Sequence, residues 1–570
     1  MEASVGRWRR PAVVALALAL GAACRPGAAE PPAEAVYLNG RIWTGVDGGP
    51  EAQALAVREG RVQAVGDTAT VRALADGATT VVDLGGRRVV PGFNDAHWHL
   101  PTRRSADLGD SGRVDEIQRR LAAFARTLDS GAWVLGRSWG PSDFPDATPH
   151  RRYLDDVLPG RLVLLTDRDG HQVLASSAAL AAAGITRDTP DPANGRILRD
   201  AAGDPTGVLQ EGAMGLVRRL VPAQTLADVA RAVDAELATA ASYGLTSVQV
   251  ASGSAASGLE YEAYAAAARD GRLAVRVRAA VPFERDVTPA DLAAFVALRD
   301  RHAGGLLRFG IAKGMLDGTV DARTAAMFEP YTGHDDRGLP MWTAGDLDRA
   351  VAAYDKAGLQ VELHAIGDRA IRMALDAYEH AARANGTSGR RHRVEHVEVP
   401  ADADLPRFAA LGVIASTQAM FASPDSITLT NYAPLLGPAR TARANAFRRF
   451  DAAGAVQAFG SAYPVFTMEV MRGIHTAVTR QLPEGTPAGG WHPEHRLTVE
   501  AALRHFTRDA AYAEFAEDEK GTLVAGRAAD FVALSDDPFA IPPARLHAVK
   551  ADLTVMGGRV TWRSPAFAGR

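Results

Sequence analysis

Between residues 91 and 461 short apolar segments alternate with Ala-rich helical stretches, and this constrains the fold more than any other feature of the chain. Eight strand candidates can be placed, at 91–96, 245–251 (LTSVQVA), 273–281 (LAVRVRAAV), 307–314 (LRFGIAKG), 359–365 (LQVELHA), 391–397 (RHRVEHV), 412–418 (GVIASTQ) and 455–461 (AVQAFGS). Helical stretches such as 223–243, 344–357 and 369–384 lie between them. This alternation predicts a parallel α/β sheet, because parallel neighbours need a crossover of a dozen or more residues. Residues 100–210 break the alternation and read as a long insertion after the first strand, placed to form a lid or wall over a site.

The two ends have a different texture. VYLNGRIWTG, ALAVREGRVQAVG and TTVVDLGGRRVVPG alternate apolar with polar residues and are punctuated by glycine, as is GTLVAGRAADFVALSDDPF…KADLTVMGGRVTWR near the C-terminus. Residues 30–90 and 516–570 are therefore expected to build one small β-domain together, with 91–515 between them. The total of 570 residues accommodates this plan, since a barrel of eight strand–helix units takes roughly 250 residues and tolerates large insertions.

Residues 1–29 read as an export signal. Arg7, Arg9 and Arg10 precede PAVVALALALGAA, a run too short to span a bilayer with assurance. Gly27-Ala28-Ala29 offers a cleavage site, and LGAAC ending at Cys24 offers a lipoprotein site instead, although Gly21 stands where such a site has a large aliphatic residue. The expected location is periplasmic, or membrane-anchored if Cys24 carries lipid. Cys24 is the only cysteine, so without it neither disulfides nor thiolate ligands are available and a metal must be held by imidazole, carboxylate or a lysine-derived oxygen. The formal net charge of −4, without a basic stripe, argues against nucleic acid as a partner. A small-molecule substrate is expected. The oligomeric state is left open, a homodimer among the options.

His97 and His99 flank one residue at the end of the first strand, so their imidazoles share a side. Lys313 lies near the end of FGIAKG, His364 ends VELHA and His396 ends RVEH. Barrel active sites form at the C-terminal ends of the strands, so all five residues fall where a site would be. Trp98, between the two histidines, faces the opposite way.

PGFNDAHWH, the fourth-strand lysine, the two separate strand-end histidines and the closing ADFVAL…GGRV resemble the amidohydrolase superfamily. The likeness extends to its exported YtcJ-like branch, amidohydrolase family 3, which contains the N-substituted formamide deformylases. It runs over about residues 35–560, through GRSWG, DRDGHQ with SSAAL, GDPTGVLQEGA, KGMLDGTVDARTAAMFEPY, ELHAIGDRAI, RHRVEHVEV, LGVIASTQ and EKGTLVAGRAADF. The resemblance implies a (β/α)8 TIM barrel with a β-sandwich formed by both termini. It implies one or two divalent metals, commonly zinc, with His97 and His99 on the buried ion, a carbamate of Lys313 bridging, and His364 and His396 on the outer ion. The implied chemistry is attack of a metal-activated water on an amide-like C–N bond. His396 and Lys313 are thereby catalytic candidates too.

One departure bears directly on catalysis. The family ends its eighth strand with Gly-Ser-Asp-x-Pro-Val, and this chain has Gly460-Ser461-Ala462-Tyr463-Pro464-Val465. Ala462 replaces the aspartate that binds metal and takes the proton of the attacking water. Three explanations stand: an Asp→Ala variant made to trap substrate, a natural loss in a protein that binds a ligand without turnover, or a substitute carboxylate from Asp317, Glu211 or Glu469. A second departure is Gln418-Ala419-Met420-Phe421, where relatives often have Gln-Pro-x-His. His171, Glu211, Asp317, Asp368, Trp139 and Gln418 are further candidates for substrate or supporting contacts. Asp368 either orients His364 or caps the helix before RAIRMAL, and Trp139 either lines the pocket or packs the insertion.

Overall fold

The computed structural model describes residues 31–109, 111–252 and 258–567. The basic leader, its cleavage sites and Cys24 lie outside the described residues.

Eight parallel strands form one sheet that nearly closes on itself. They are β1 (Phe93–Trp98), β2 (Leu245–Val250), β3 (Arg276–Pro282), β4 (Leu307–Met315), β5 (Gln360–Ala365), β6 (Arg393–His396), β7 (Ile414–Gln418) and β8 (Gln457–Gly460). Each corresponds to one expected segment, with ends shifted by at most three residues. Between β8 and β1 the seam is laced at the C-terminal end, where Ala462 N–H donates to the His97 carbonyl at 2.7 Å and His99 N–H to the Tyr463 carbonyl at 2.9 Å. The seam also depends on Gly460. A Cβ there would stand 2.5 Å from the His97 nitrogen, so only glycine lets β8 lie this close to β1.

Helices enclose the barrel, and some of them start at caps written in the sequence. Thr225 and Asp228 form a capping box on Leu226–Ser242, and Thr288 with Asp291 does the same for Pro289–Arg301. The helix Asp368–Asn385 ends at Gly386, whose φ of 63° suits glycine. Valine, leucine and phenylalanine of strands and helices pack into one core, including Phe93, Val248, Val281, Leu363, Phe408 and Phe459. Trp98 joins that core and stacks on Tyr463, with centroids 6.1 Å apart.

The two ends build a two-layer sandwich. One sheet has four strands from residues 35–83; the other has five and combines Arg41–Ile42 and Arg88–Pro91 with Phe531–Leu534, Ala551–Met556 and Arg559–Arg563. Tyr37, Leu55, Val57, Phe531, Leu553 and Val555 fill the space between them. The segment after β1 folds as its own six-stranded mixed sheet, from Ala106–Asp107 to Pro205–Glu211. Its two faces carry separate apolar clusters.

Trp139 belongs to one of those clusters and does not face the barrel cavity. It is fully buried, packs edge-on against Phe144 and donates its indole N–H to the Leu165 carbonyl at 3.1 Å. Trp139→Phe should therefore lower stability by about 1–3 kcal/mol through the lost indole hydrogen bond and the smaller buried ring, and leave KM for small substrates unchanged. A shifted KM at unchanged stability, read by steady-state kinetics beside a urea melt, would reverse that assignment.

Candidate active site

The C-terminal ends of the strands open into a cavity of about 560 Å³, lined among others by His97, His99, Lys313, His364, His396 and Ala462. The insertion supplies one wall, with Arg168, His171 and Glu211.

Four imidazoles from three strands meet in a chain. Ring centroids lie 5.0 Å apart for His97–His99, 4.7 Å for His97–His396 and 4.5 Å for His364–His396. Burial is the main cause that lowers the pKa of all four, His99 to about 3 and the others well below the usual value, and neighbouring cations add to it. Their ground state is the neutral imidazole that a cation requires.

His97 and His396 are each aimed by a partner. The His97 Nδ1 meets the Glu395 carboxylate, which fixes the proton on Nδ1 and leaves Nε2 as a lone pair. That Nε2 stands 3.2 Å from His99 Nε2. Two nitrogens sharing one tetrahedral zinc, at Zn–N distances of about 2.0–2.1 Å, would be about as far apart. Gln418 Oε1 lies 2.7 Å from His396 Nδ1 while its amide nitrogen donates to the Ser416 carbonyl at 3.3 Å. The amide therefore presents an acceptor, and His396 keeps Nε2 free on the cavity side.

Lys313 is buried at the cavity floor, and no hydrogen bond or ion pair among the described residues engages its amine. Burial lowers its pKa, with Glu362 and Glu395 opposing. A neutral amine is the form that can take up CO2. Among the described residues no three His, Cys, Asp or Glu side chains are already converged on one point. Two of the six strand-end positions, Lys313 and Ala462, carry no donor of those types. The four imidazoles with Lys313 suit a divalent cation in donor chemistry, and the carboxylate is the missing part.

Beneath the imidazoles lies a polar network absent from the sequence expectations. Arg393 is fully buried; it donates to Glu395 at 2.9 Å, Gln249 at 2.6 Å, the Ala96 carbonyl at 2.5 Å and Ser416 at 2.9 Å, and lies 3.4 Å from Glu362. Strand alternation would place Glu395 and His396 on opposite faces. His396 has φ 72° and Val397 φ 51°, and this turn of the backbone brings both side chains to the site. Asp95 was legible in principle, because it stands two residues before His97 and shares its face. It accepts from Ser461 N–H at 2.9 Å and Ser461 Oγ at 2.5 Å, and so seats the loop that carries Ala462.

None of the proposed substitutes fills the place at Ala462. Asp317 is buried and saturated by three backbone N–H groups, of Ala326, Ile366 and Gly367, at 2.8–3.0 Å. Its carboxylate reaches His364 Nε2 only at 3.7 Å. Glu469 pairs with Lys550 at 2.7 Å. Glu211 lines the cavity but is bound to His171 Nδ1 at 3.0 Å. Burial alone would lower the His171 pKa; the Glu211 carboxylate overrides it and pushes it up to about 9. The pair therefore stands as an imidazolium–carboxylate in the wall, with the His171 ring 4.8 Å from that of His364. Asp368 takes neither expected part. Gly367 is the cap residue, and Asp368 accepts from Phe328 N–H at 2.9 Å and Arg443 at 2.7 Å, tying two loops together. Phe421 stacks on His396 at 5.5 Å, nearly parallel.

Comparison with known proteins agrees with this geometry. The amidohydrolase family matches residues 80–562. The chain is 32% identical to Protein LONG AFTER FAR-RED 3 of Arabidopsis thaliana, over 88% of this chain and 87% of that one. It is 30% identical to the putative amidohydrolase YtcJ of Bacillus subtilis, over 93% and 99%, and 28% identical to the N-substituted formamide deformylase of Arthrobacter pascens, over 89% and 94%. The fold is shared with an uncharacterized metal-dependent hydrolase from Pyrococcus horikoshii, at a TM-score of 0.70 and 23% identity, covering 89% of this chain and 99% of that one. By the family match, the relatives and the barrel with its strand-end histidines, the chain belongs to the amidohydrolase family.

Proposed function

We propose that the chain is built as a metal-dependent hydrolase of an amide-like C–N bond in a small molecule, and that Ala462 slows its turnover. The observation that carries this reading is the row of four neutral imidazoles with Lys313 on the floor of one cavity. A divalent cation there, zinc by the preference of nitrogen donors, supplies Lewis acidity to a carbonyl and acidifies water. His97 and His99, whose Nε2 atoms lie 3.2 Å apart, would hold it, and His364 and His396 would offer further nitrogen donors from the same cavity. The Lys313 amine adds to CO2, forming an N–C bond and releasing one proton, to give a carbamate with two oxygens. Glu395 and Gln418 keep the imidazole tautomers fixed. A carboxylate at position 462 would take the proton of the attacking water; a methyl group does not. The relative named as an N-substituted formamide deformylase supports the choice of a C–N bond.

Metal analysis of the purified chain and of His97→Ala tests the reading. One or two zinc ions per chain, lost in the variant, are expected; a metal content unaffected by His97→Ala would sink it. Gln418→Leu should weaken zinc about 10–100-fold by freeing His396 to rotate, as chelator competition would report. An unchanged affinity would show that Gln418 does not position His396.

Ala462 itself favours a second reading, a non-catalytic ligand- or metal-binding protein on the same scaffold. Restoring aspartate separates the two.

A further inference from the structure

A second cavity, of about 310 Å³, lies at the other end of the barrel, where the beginnings of β3 and β4 face the sandwich. We propose that it binds a small doubly charged oxyanion of the phosphate type, held between barrel and sandwich by Arg278 and Arg61.

Five cations line it: Arg61, Arg276, Arg278, Arg308 and Lys520. Three have their own carboxylates. Arg276 pairs with Asp530 at 2.7 Å, Arg308 with Glu519 at 2.5 Å and Lys520 with Glu514 at 2.6 Å. Among the described residues Arg61 and Arg278 have none, and Arg61 donates only to the Gly526 carbonyl, at 2.7 Å. The third acid of the lining, Glu59, is exposed and pairs with Arg58 at 3.6 Å.

Arg278 makes the stronger case. It is 8% exposed, and no protein group among the described residues accepts from its buried Nη1. Neither of the acids that act on it electrostatically bonds to it: Glu514 is bound to Lys520 and Asn94, and Glu362 Oε2 stands 3.4 Å from Arg393. The Phe515 ring covers it at 5.8 Å without accepting a hydrogen bond. Burial is the main cause holding its pKa down at about 10. Taking a guanidinium out of water without a partner costs several kcal/mol, and a bidentate oxyanion is the partner its planar fork fits best. Two uncompensated cations match the charge of hydrogen phosphate. The walls come from barrel strand starts, from the 514–520 turn and from the sandwich turn at 59–61 with Gly557, so a bound anion would tie the two domains together.

The test is calorimetric titration of the zinc-loaded full chain with inorganic phosphate, beside thermal melts against sodium chloride of matched ionic strength. Saturable binding and a higher melting midpoint are expected. Because phosphate also ligates metals, His97→Ala serves as a control and should keep this binding. Arg278→Met should weaken it more than about tenfold, the loss of hydrogen bonds to a charged group. Arg61→Ala, at the exposed rim where folding is not at stake, should weaken it several-fold and decides the matter if Arg278→Met fails to fold. A chloride effect equal to that of phosphate, or binding lost in His97→Ala but retained in both arginine variants, overturns the proposal.

Discussion

Ala462→Asp is expected to raise kcat/KM on N-formyl and N-acyl compounds by about 10²–10⁴-fold in the presence of zinc, the usual worth of a placed general base. The backbone already favours that residue. Ala462 has φ 52°, in the left-handed region where a Cβ costs about 1–2 kcal/mol and where aspartate and asparagine are enriched several-fold. Its N–H is bonded to the His97 carbonyl, and its Cβ side lines the cavity beside the imidazoles. The new carboxylate would therefore enter a seat that Asp95 and Ser461 already hold in place. Ala462→Asn supplies the same backbone preference without the base, and should gain stability but not rate. No gain with aspartate across a broad panel, with zinc bound, would move the assignment to a binding protein.

The largest loss of stability is expected from Arg393→Met. Removing one partner from a buried charge network costs about 3–5 kcal/mol, because Glu395 and Glu362 would keep their charges in a dry interior or take up protons. Burial already pushes Glu362 up to about 7 with Arg393 present, so it has little tolerance for the loss. The measurement is urea unfolding of the barrel. The double variant Arg393→Met with Glu395→Gln should recover part of the deficit at neutral pH. A single variant within about 1 kcal/mol of the parent would mean the network is solvated, and would remove the argument that it stiffens the His97 side of the site.

Much of this site could be read from spacing alone. His97 lies in β1 and His99 one residue past its end, and the strand ends at Lys313, His364 and His396 are marked by apolar runs, so period-two spacing and barrel topology bring all five together. Asp95 obeys the same alternation. Glu395 does not, because the positive φ at His396 suspends the alternation at the residue where the chemistry sits. Arg393 in a run of strand residues gives no sign of being buried; its burial follows from pairing with acids on β5 and β6. Asp368 and Trp139 carried two readings each. The neighbours that decided them, Phe328 and Arg443 for one and Phe144 and Leu165 for the other, come from other segments of the chain.

The closing of the middle segment into a barrel was implied by family resemblance; the amino-acid sequence by itself determined eight strands of a parallel α/β middle, a small β-domain from both termini, the inserted segment and the absence of a carboxylate at position 462. These follow from apolar periodicity, glycine placement and residue type, which are local. Only the tertiary structure decided that Asp317 and Glu469 are spent on other partners, that Glu211 is held by His171, and that Arg278 is buried with no acid of its own among the described residues. Those outcomes depend on which side chains long-range packing sets within hydrogen-bond distance, and on how far it removes them from water.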